Sequence, residues 1–391
     1  MKKSTTLITY LAVAFTFITT AIQAQTTLGG QTGRNVITTA VPFISFAPDS
    51  RASGMGDAGV ATSPDANSVQ WNNGKLAFVT QDYGGSLSYT PWLGKIVDDM
   101  SISYLSGFYK IDRLQAIGVS LRYFDLGSID LRDINGAPEG IDNPREMALD
   151  FTYSRKLSES IGIGVTGRYI SSNLSSQASS QNNTPKKGTS IAVDLGVYYV
   201  KSIAIGGKNI DFSLGAHVSN IGQKVTYSNE TNADFIPTNL RLGTALKTSL
   251  DPYNTITFAL DFNKLLVPTP PTLDEDGVII AGKDDDRNLL SGMFGSFGDA
   301  PGGFNEEMKE ISISTGIEYW YRDIFAARAG YFYEHLDKGG RKYITVGLGF
   351  RYQKFGVDFS YLIPPEQNHP LAETVRFSLL FNFEGADEES N

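Results

Sequence analysis

Residues 311–335 read ISISTGIEYWYRDIFAARAGYFYEH. Ile311, Ile313, Ile317, Tyr319 and Tyr321 occupy odd positions, with Ser312, Ser314, Gly316 and Glu318 between them. After Arg322-Asp323 the alternation resumes, with Phe325, Ala327, Ala329, Tyr331 and Tyr333 set against Arg328, Gly330 and Glu334. Successive side chains of a strand point to opposite faces, so each run has one apolar, aromatic-ended face and one face that carries charge. A break this short predicts an antiparallel hairpin. Two things need a physical cause: what the apolar face touches, and why the other face holds an Arg and a Glu.

The pattern recurs along the chain. Ile117, Val119, Leu121 and Tyr123 alternate with Gly118, Ser120 and Arg122, and Met147, Leu149, Phe151 and Tyr153 with Ala148, Asp150 and Thr152. Ile161, Ile163, Val165 and Tyr169 alternate with Gly162, Gly164 and Arg168, and Ile191, Val193, Leu195, Val197 and Tyr199 with Ala192, Asp194 and Gly196. Further runs near 83–90, 100–110, 209–219, 239–248, 255–263, 343–352, 355–362 and 374–384 bring the predicted strands to fourteen. IDR, LSES, KSIAIGGK, LDPYN, RD and QK are short connections, whereas 91–99, 127–143, 172–188, 220–238, 264–308, 336–342 and 363–373 are long or polar. Short turns at one end and long loops at the other are the pattern of an outer-membrane up-and-down barrel. The runs are about ten residues long, as a tilted membrane-crossing strand requires. Lipid cannot hydrogen-bond a backbone, so a spanning sheet must close on itself. The apolar face would then meet lipid, with Tyr and Phe at the membrane interfaces. A soluble β-sandwich would also alternate, but it has no reason to alternate its loop lengths.

The chain has 391 residues, no Cys, 40 Gly, 19 Tyr and 23 Phe. Without Cys there is no disulfide framework, thiolate metal site, Cys nucleophile or lipidated N-terminal Cys. Lys2-Lys3, the apolar run LITYLAVAFTFITTAI and Ala24 before Gln25 match an export signal. Removing it moves the formal charge from −9 to −11, an acidic balance that disfavours nucleic acid. No later segment approaches the roughly 18 apolar residues of a membrane helix. The expected fold is all-β: a 14-stranded antiparallel transmembrane β-barrel with an N-terminal lumen plug. Its expected organisation is a signal peptide at 1–24, a plug segment at 25–80, the barrel at 81–384 and a periplasmic tail at 385–391.

By parity the inward charges of strands three to fourteen are Arg122, Asp150, Arg168, Asp194, Asp211, Arg241, Asp261, Glu318, Arg328, Arg351, Asp358 and Arg376. Neighbouring strands mostly carry opposite signs, and opposite charges across a ladder attract. Charges in a low-dielectric interior need partners, which predicts a tightly networked or plugged lumen. Solvated pore-lining charges are the alternative. The plug candidate precedes the first strand. It is rich in Gly, Ser, Asp and Pro and cannot build a core alone, but Val41, Phe43, Ile44, Phe46, Met55 and Trp71 could anchor it inside a barrel. A periplasmic arm is the other reading.

No catalytic constellation is present, so an enzyme is not expected, nor is a cofactor. Gly162–Gly167 fits G-x-G-x-x-G, but within an alternating strand and with no helix after it. His217 is expected in the lumen, His335 and His369 in loops. In loop 264–308, nine acids (Asp274, Glu275, Asp276, Asp284, Asp285, Asp286, Asp299, Glu306 and Glu307) face Lys264, Lys283 and Arg287. Calcium is conceivable there, but the spacing is not that of an EF-hand, and a solvated loop is expected. The same loop sets Phe294, Phe297 and Phe304 on a Gly-rich stretch, which suits contact with another protein.

Three stretches resemble one family: ITTAVPFISFAPDSRASGMGDAGVATSPDANSVQWN, ARAGYFYEHLDKGGRKYITVGLGFRY and IPPEQNHPLAETVRFSLLFNFE. They are similar to the PorV family, outer-membrane shuttle components of type IX protein secretion, related to FadL-like fourteen-stranded barrels with a lumen plug. Such barrels tend to carry Pro-Ala after the Trp-Asn pair, whereas Trp71-Asn72 is followed here by Asn73-Gly74, which favours a tight turn with positive φ. The resemblance implies outer-membrane residence with both termini periplasmic. It implies that the barrel binds the C-terminal signal domain of exported cargo at the translocon pore protein. It also implies delivery to a surface signal-peptidase and attachment complex that links cargo to lipopolysaccharide. The candidate contact residues are Phe294, Phe297 and Phe304 in one loop and Pro364, Pro365, Asn368, His369 and Pro370 in another. A FadL-like channel for hydrophobic small molecules is the alternative.

Overall fold

The computed structural model describes residues 35–383 apart from 95, 96, 98, 134, 175–185, 228–232 and 366–373. The expected signal peptide, residues 25–34 of the expected plug, and the tail 385–391 lie outside the described residues, as do Asn368, His369 and Pro370.

Fourteen antiparallel strands close into a barrel. They are β1 (Tyr83–Pro91), β2 (Ser101–Lys110), β3 (Gln115–Asp125), β4 (Arg145–Lys156), β5 (Ile161–Asn173), β6 (Gly188–Ile205), β7 (Lys208–Gly222), β8 (Asn239–Asp251), β9 (Asn254–Leu265), β10 (Ile311–Tyr321), β11 (Phe325–Tyr333), β12 (Lys342–Tyr352), β13 (Phe355–Ile363) and β14 (Val375–Phe383). Each strand pairs with its neighbours in sequence, and β1 closes on β14 from Tyr83↔Phe383 to Tyr89↔Phe377. The fourteen strands are those read from the sequence. One connection differs: KSIAIGGK, expected as a loop, is mostly strand. Gly206 and Gly207, at φ 60° and 81°, turn the chain between β6 and β7, the conformation a tight hairpin asks for.

Burial is inverted relative to a soluble protein. Leu105, Val119, Phe151, Ile191, Leu195 and Leu348 point outward and are exposed, while Ser106, Ser120, Thr152, Asp194 and Glu318 point inward and are buried. This excludes a sandwich, whose apolar faces would meet each other. Aromatic pairs line the short-turn end over β11–β14 and β1: Tyr83 with Phe383 at 5.1 Å, Phe325 with Phe350 at 5.1 Å and Phe355 with Phe381 at 5.7 Å. Amphipathic rings favour a membrane–water boundary.

The lumen is filled by the segment before β1. Two single-turn helices, α1 (Ser50–Ser53) and α2 (Ser68–Trp71), lie between 3₁₀ turns at Pro42–Ser45 and Asn73–Phe78. Asp49 caps α1 by accepting from Ala52 N at 3.0 Å, and Asn72 caps the last turn by accepting from Gly74 N at 3.0 Å. The tight positive-φ turn expected at Asn73-Gly74 does not form; those residues open the 3₁₀ turn. The segment is bonded to strands around the ring. Asn67 accepts from Ser106 on β2, Asn73 donates to Thr166 on β5, Gly56 N donates to Thr345 on β12 and Ser50 N to Ser378 on β14. Wall glycines admit its backbone: a Cβ at Gly316 or Gly330 would overlap Met55 and Gly56.

Val41, Phe43 and Ile44 pack with Trp92, Ile102 and Phe124 at the long-loop end, and Val69, Leu76 and Val79 with Phe108 and Ala116 towards the short-turn end. Asn35 Nδ2 donates to Pro270 O in a long loop. The segment therefore traverses the barrel before β1 begins. Phe383 ends beside Tyr83 at the short-turn end, whereas Asn35 lies at the opposite end. Residues 1–34, and with them the expected periplasmic N-terminus, lie outside the described residues.

Candidate functional site: a charge-locked lumen and a folded outer loop

Two ion clusters join the wall. On one side Arg168 (β5) reaches Asp150 (β4) through Nε at 2.7 Å and Nη2 at 2.9 Å, and its Nη2 lies 3.1 Å from Asp194 (β6). Asp150 and Arg168 are direct register partners. Ser120 donates to Asp150 at 2.8 Å, and Asn220 N to Asp194 at 2.7 Å. On the other side Glu318 (β10) accepts from Arg328 (β11) at 2.7 Å and, in a fork of 2.8 and 2.9 Å, from Arg51 of the plug. Arg328 continues to Asp358 (β13) at 2.9 Å, which also holds Arg351 (β12) at 2.7 and 2.9 Å. Arg51 further binds Asp65 at 2.8 Å and Ser63 at 2.6 Å, so the plug is tied into the wall's own network.

The remaining inward charges do not pair across the ladder as their alternating signs suggested. Asp261 receives the plug's Gly59 N and Val60 N at 2.7 and 2.9 Å. Arg122 donates to Phe43 O at 2.8 Å and Phe46 O at 3.1 Å. Arg241 lies 5.0 Å over the Trp71 ring. Asp211 is only half-buried and bonds Ser202. Arg376 is buried and lines, with Arg241, Arg341, Tyr343 and Trp71, a cavity of about 430 Å³ near the long-loop end. The plug competes for these side chains because its backbone donors and carbonyls are desolvated and must be satisfied. The apolar anchors expected in the plug are inside the barrel: Val41, Phe43, Ile44, Met55 and Trp71 are buried and Phe46 half-buried. Asp49, Arg51 and Lys75, buried with them, were not among the expected residues. The signal was Arg51 and Lys75, two cations in an Asp-bearing segment that must enter a lumen of paired charges.

His217 is buried in the lumen beside Arg241 in register, and His335 caps a short turn by accepting from Asp337 N at 3.2 Å. Gly162 and Gly164 of the G-x-G-x-x-G match face Gly74 and Asn73, which makes them wall positions for close approach of the plug.

The loop between β9 and β10 is folded. It carries a small hairpin (Thr272–Leu273 with Ile279–Ala281), α3 (Leu289–Gly295) and α4 (Phe304–Lys309). Its acids divide. Asp274, Glu275, Asp276, Asp284, Asp285 and Asp286 are exposed, as expected of a solvated loop. Asp299 and Glu307 are buried instead. Lys264 Nζ binds Glu307 at 3.0 Å and Glu310 at 2.5 Å, and Lys338 Nζ binds Glu306 at 2.6 Å and Glu310 at 3.0 Å. Glu307 also accepts Asp299 N and Ala300 N at 2.8 and 2.9 Å. These contacts clamp the loop's base to the barrel mouth. Burial pushes the Glu306 carboxyl up, but bonds from Lys338, Gly302 N and Asn35 outweigh it and hold the group below its usual range. Among the described residues no three acids or histidines converge as a metal site. Above the clamp Phe294, Phe297 and Phe304 are 70%, 53% and 77% exposed, with Leu290, Met308 and Ile280 also exposed. In the other candidate loop Pro364 is half-buried and Pro365 exposed.

A closed fourteen-stranded barrel with an apolar outer wall and a filled polar lumen is an outer-membrane barrel of a Gram-negative bacterium. The chain belongs to the PorV family: the model of the type IX secretion system protein PorV matches residues 30–272. Among solved structures it is similar to the Ralstonia pickettii toluene transporter TbuX, at 12% identity and TM-score 0.46 over 86% of this chain and 98% of that one. It is also similar to the CymD monoaromatic hydrocarbon channel, at 13% identity and TM-score 0.47 over 86% and 98%. A Pseudomonas aeruginosa FadL homologue aligns at 10% identity and TM-score 0.43 over 90% and 100%. No curated protein sequence matches.

Proposed function

We propose that this barrel is a non-catalytic carrier of exported proteins in type IX secretion. The C-terminal signal domain of a cargo protein docks on its long-loop face, which is turned to the cell surface. It receives cargo at the translocon pore protein and hands it to the surface complex that removes the signal and attaches cargo to lipopolysaccharide. The observation that carries this reading is the exposed Phe294, Phe297 and Phe304 patch on a loop whose base is fixed by Lys264 and Lys338. Large exposed apolar patches on a water-facing loop mark protein contacts, and rigid presentation reduces the ordering cost of binding. The filled, charge-locked lumen supports a role outside the barrel rather than through it. The test is to shorten 272–305 in one variant and 364–373 in another, then measure surface-attached cargo and co-purification with the translocon. Folded variants should lose both while uptake of hydrophobic compounds is unchanged. Normal values of both in the double deletion would place docking elsewhere, and reduced uptake with normal cargo display would favour a hydrophobic-compound channel.

A further inference from the structure

The outer wall is dented over β4–β7. A cavity of about 410 Å³ opens there between Tyr153, Ile163, Val165, Leu195 and Val197, with Ala216 the smallest side chain of its lining's outward face and Arg155 at its edge. The dent has a cause in the lumen. The inward positions behind it are Gly164, Gly196 and Gly215, where a Cβ would strike Asn73, Asn72 or Val60. The wall therefore sits directly on the plug backbone, and the outer surface follows it inward. A register shift between Val193 and Leu195 adds local irregularity to the β6–β7 ladder, as a bulge does.

Position along the strands sets the chemistry. Arg155 is one residue from the short-turn end of β4 and pairs with Ile163, which pairs with Val197. Lys201 lies four residues further along β6, on the same outward parity and towards the same end; both cations are exposed. Among the described residues no ion pair holds either one. Asp112, in the adjoining short turn, already accepts from Leu114 N, Gln115 N and Gln115 Nε2. Tyr153, which lines the dent, donates through its hydroxyl to Gln115 at 2.5 Å. An apolar trough at hydrocarbon depth thus ends in two cations and a tyrosine at the headgroup boundary, where such residues anchor to lipid.

We propose that the dent binds one glycerophospholipid of the leaflet at the short-turn end, an acyl chain in the trough and the phosphate on Arg155 and Lys201. The site rests on the membrane placement of the barrel and is independent of the cargo reading. The full chain, extracted from membranes in a mild non-ionic detergent, should retain one phosphatidylethanolamine or phosphatidylglycerol in native mass spectrometry. Ala216→Trp and Val165→Phe, which fill the dent from different strands, should retain none. Arg155→Gln with Lys201→Gln should lower retention roughly tenfold, the scale of one charge-assisted bond. Heat-modifiable migration checks that each barrel is closed, and two filling variants guard against one that fails to fold. Equal retention in all folded forms, no lipid on the wild type, or a protein lost on filling in place of a lipid would overturn the proposal.

Discussion

Glu318→Ala removes the carboxylate on which two buried cations converge, Arg328 of the wall and Arg51 of the plug. Breaking a buried ion pair by deleting one partner costs about 3–5 kcal/mol in the clearest cases. Arg51 keeps Asp65 at 2.8 Å and Arg328 keeps Asp358 at 2.9 Å. The expected loss is therefore at the low end, about 3 kcal/mol. Denaturant unfolding in phospholipid vesicles, followed by tryptophan fluorescence, measures it. Trypsin cleavage after Arg51 or Lys75 reports release of the plug separately. In a cycle with Arg328→Ala the two losses should be non-additive by about 1 kcal/mol or more. Exchanging the two charges, Glu318→Arg with Arg328→Glu, should not restore stability, because the relocated cation would face Arg51. Adding Arg51→Ala should then recover part of the loss. Additivity of the single changes, or full rescue by the exchange with Arg51 intact, would refute the network and leave these charges as solvated lumen groups.

Gly330→Val should displace the plug while leaving the barrel closed, since the added carbons overlap the Met55–Gly56 backbone. Faster trypsin cleavage after Arg51 with unchanged heat-modifiability is the expected result. Glu306 is held below its ordinary value of 4.5, so its ionised form favours the clamped loop above that value, and the contribution is lost as pH falls through the lowered one. Protease protection of 272–305 should stay level from about pH 7 to about pH 5 and decline only below the ordinary value of 4.5. Glu306→Gln should remove that acid limb. In planar bilayers the intact barrel should pass little steady current, and deletion of 35–70 should open it; a large stable current from the intact protein would show that the segment does not seal the lumen.

The barrel was legible because its rule is local. Alternation in runs such as Ile311–Tyr321 fixes which side chains meet lipid, and loop lengths fix the up-and-down order. The pairs Asp150–Arg168 and Glu318–Arg328 were legible for the same reason, as inward charges on adjacent strands. What stayed hidden depends on contacts between distant segments. Arg51 meets Glu318 across 267 residues, and no local pattern marks which inward charge a threaded segment will claim. The same holds for Asp261, which pairs with plug N–H groups rather than with a neighbouring Arg. The acidic loop reads as uniformly solvated by composition, yet Asp299 and Glu307 are buried because Lys264 and neighbouring backbone donors fold the chain over them.

The central claim is that cargo is held on the long-loop face. A photo-crosslinking amino acid at Phe304 or Phe294, and for comparison at Leu348 on the outer wall, tests it most directly in secreting cells. All three positions are exposed, at 77%, 70% and 64%. The account predicts adducts with cargo C-terminal signal domains from Phe304 and Phe294 and none from Leu348. Cargo adducts from Leu348 alone, or none from the loop while cargo still reaches the surface, would contradict it.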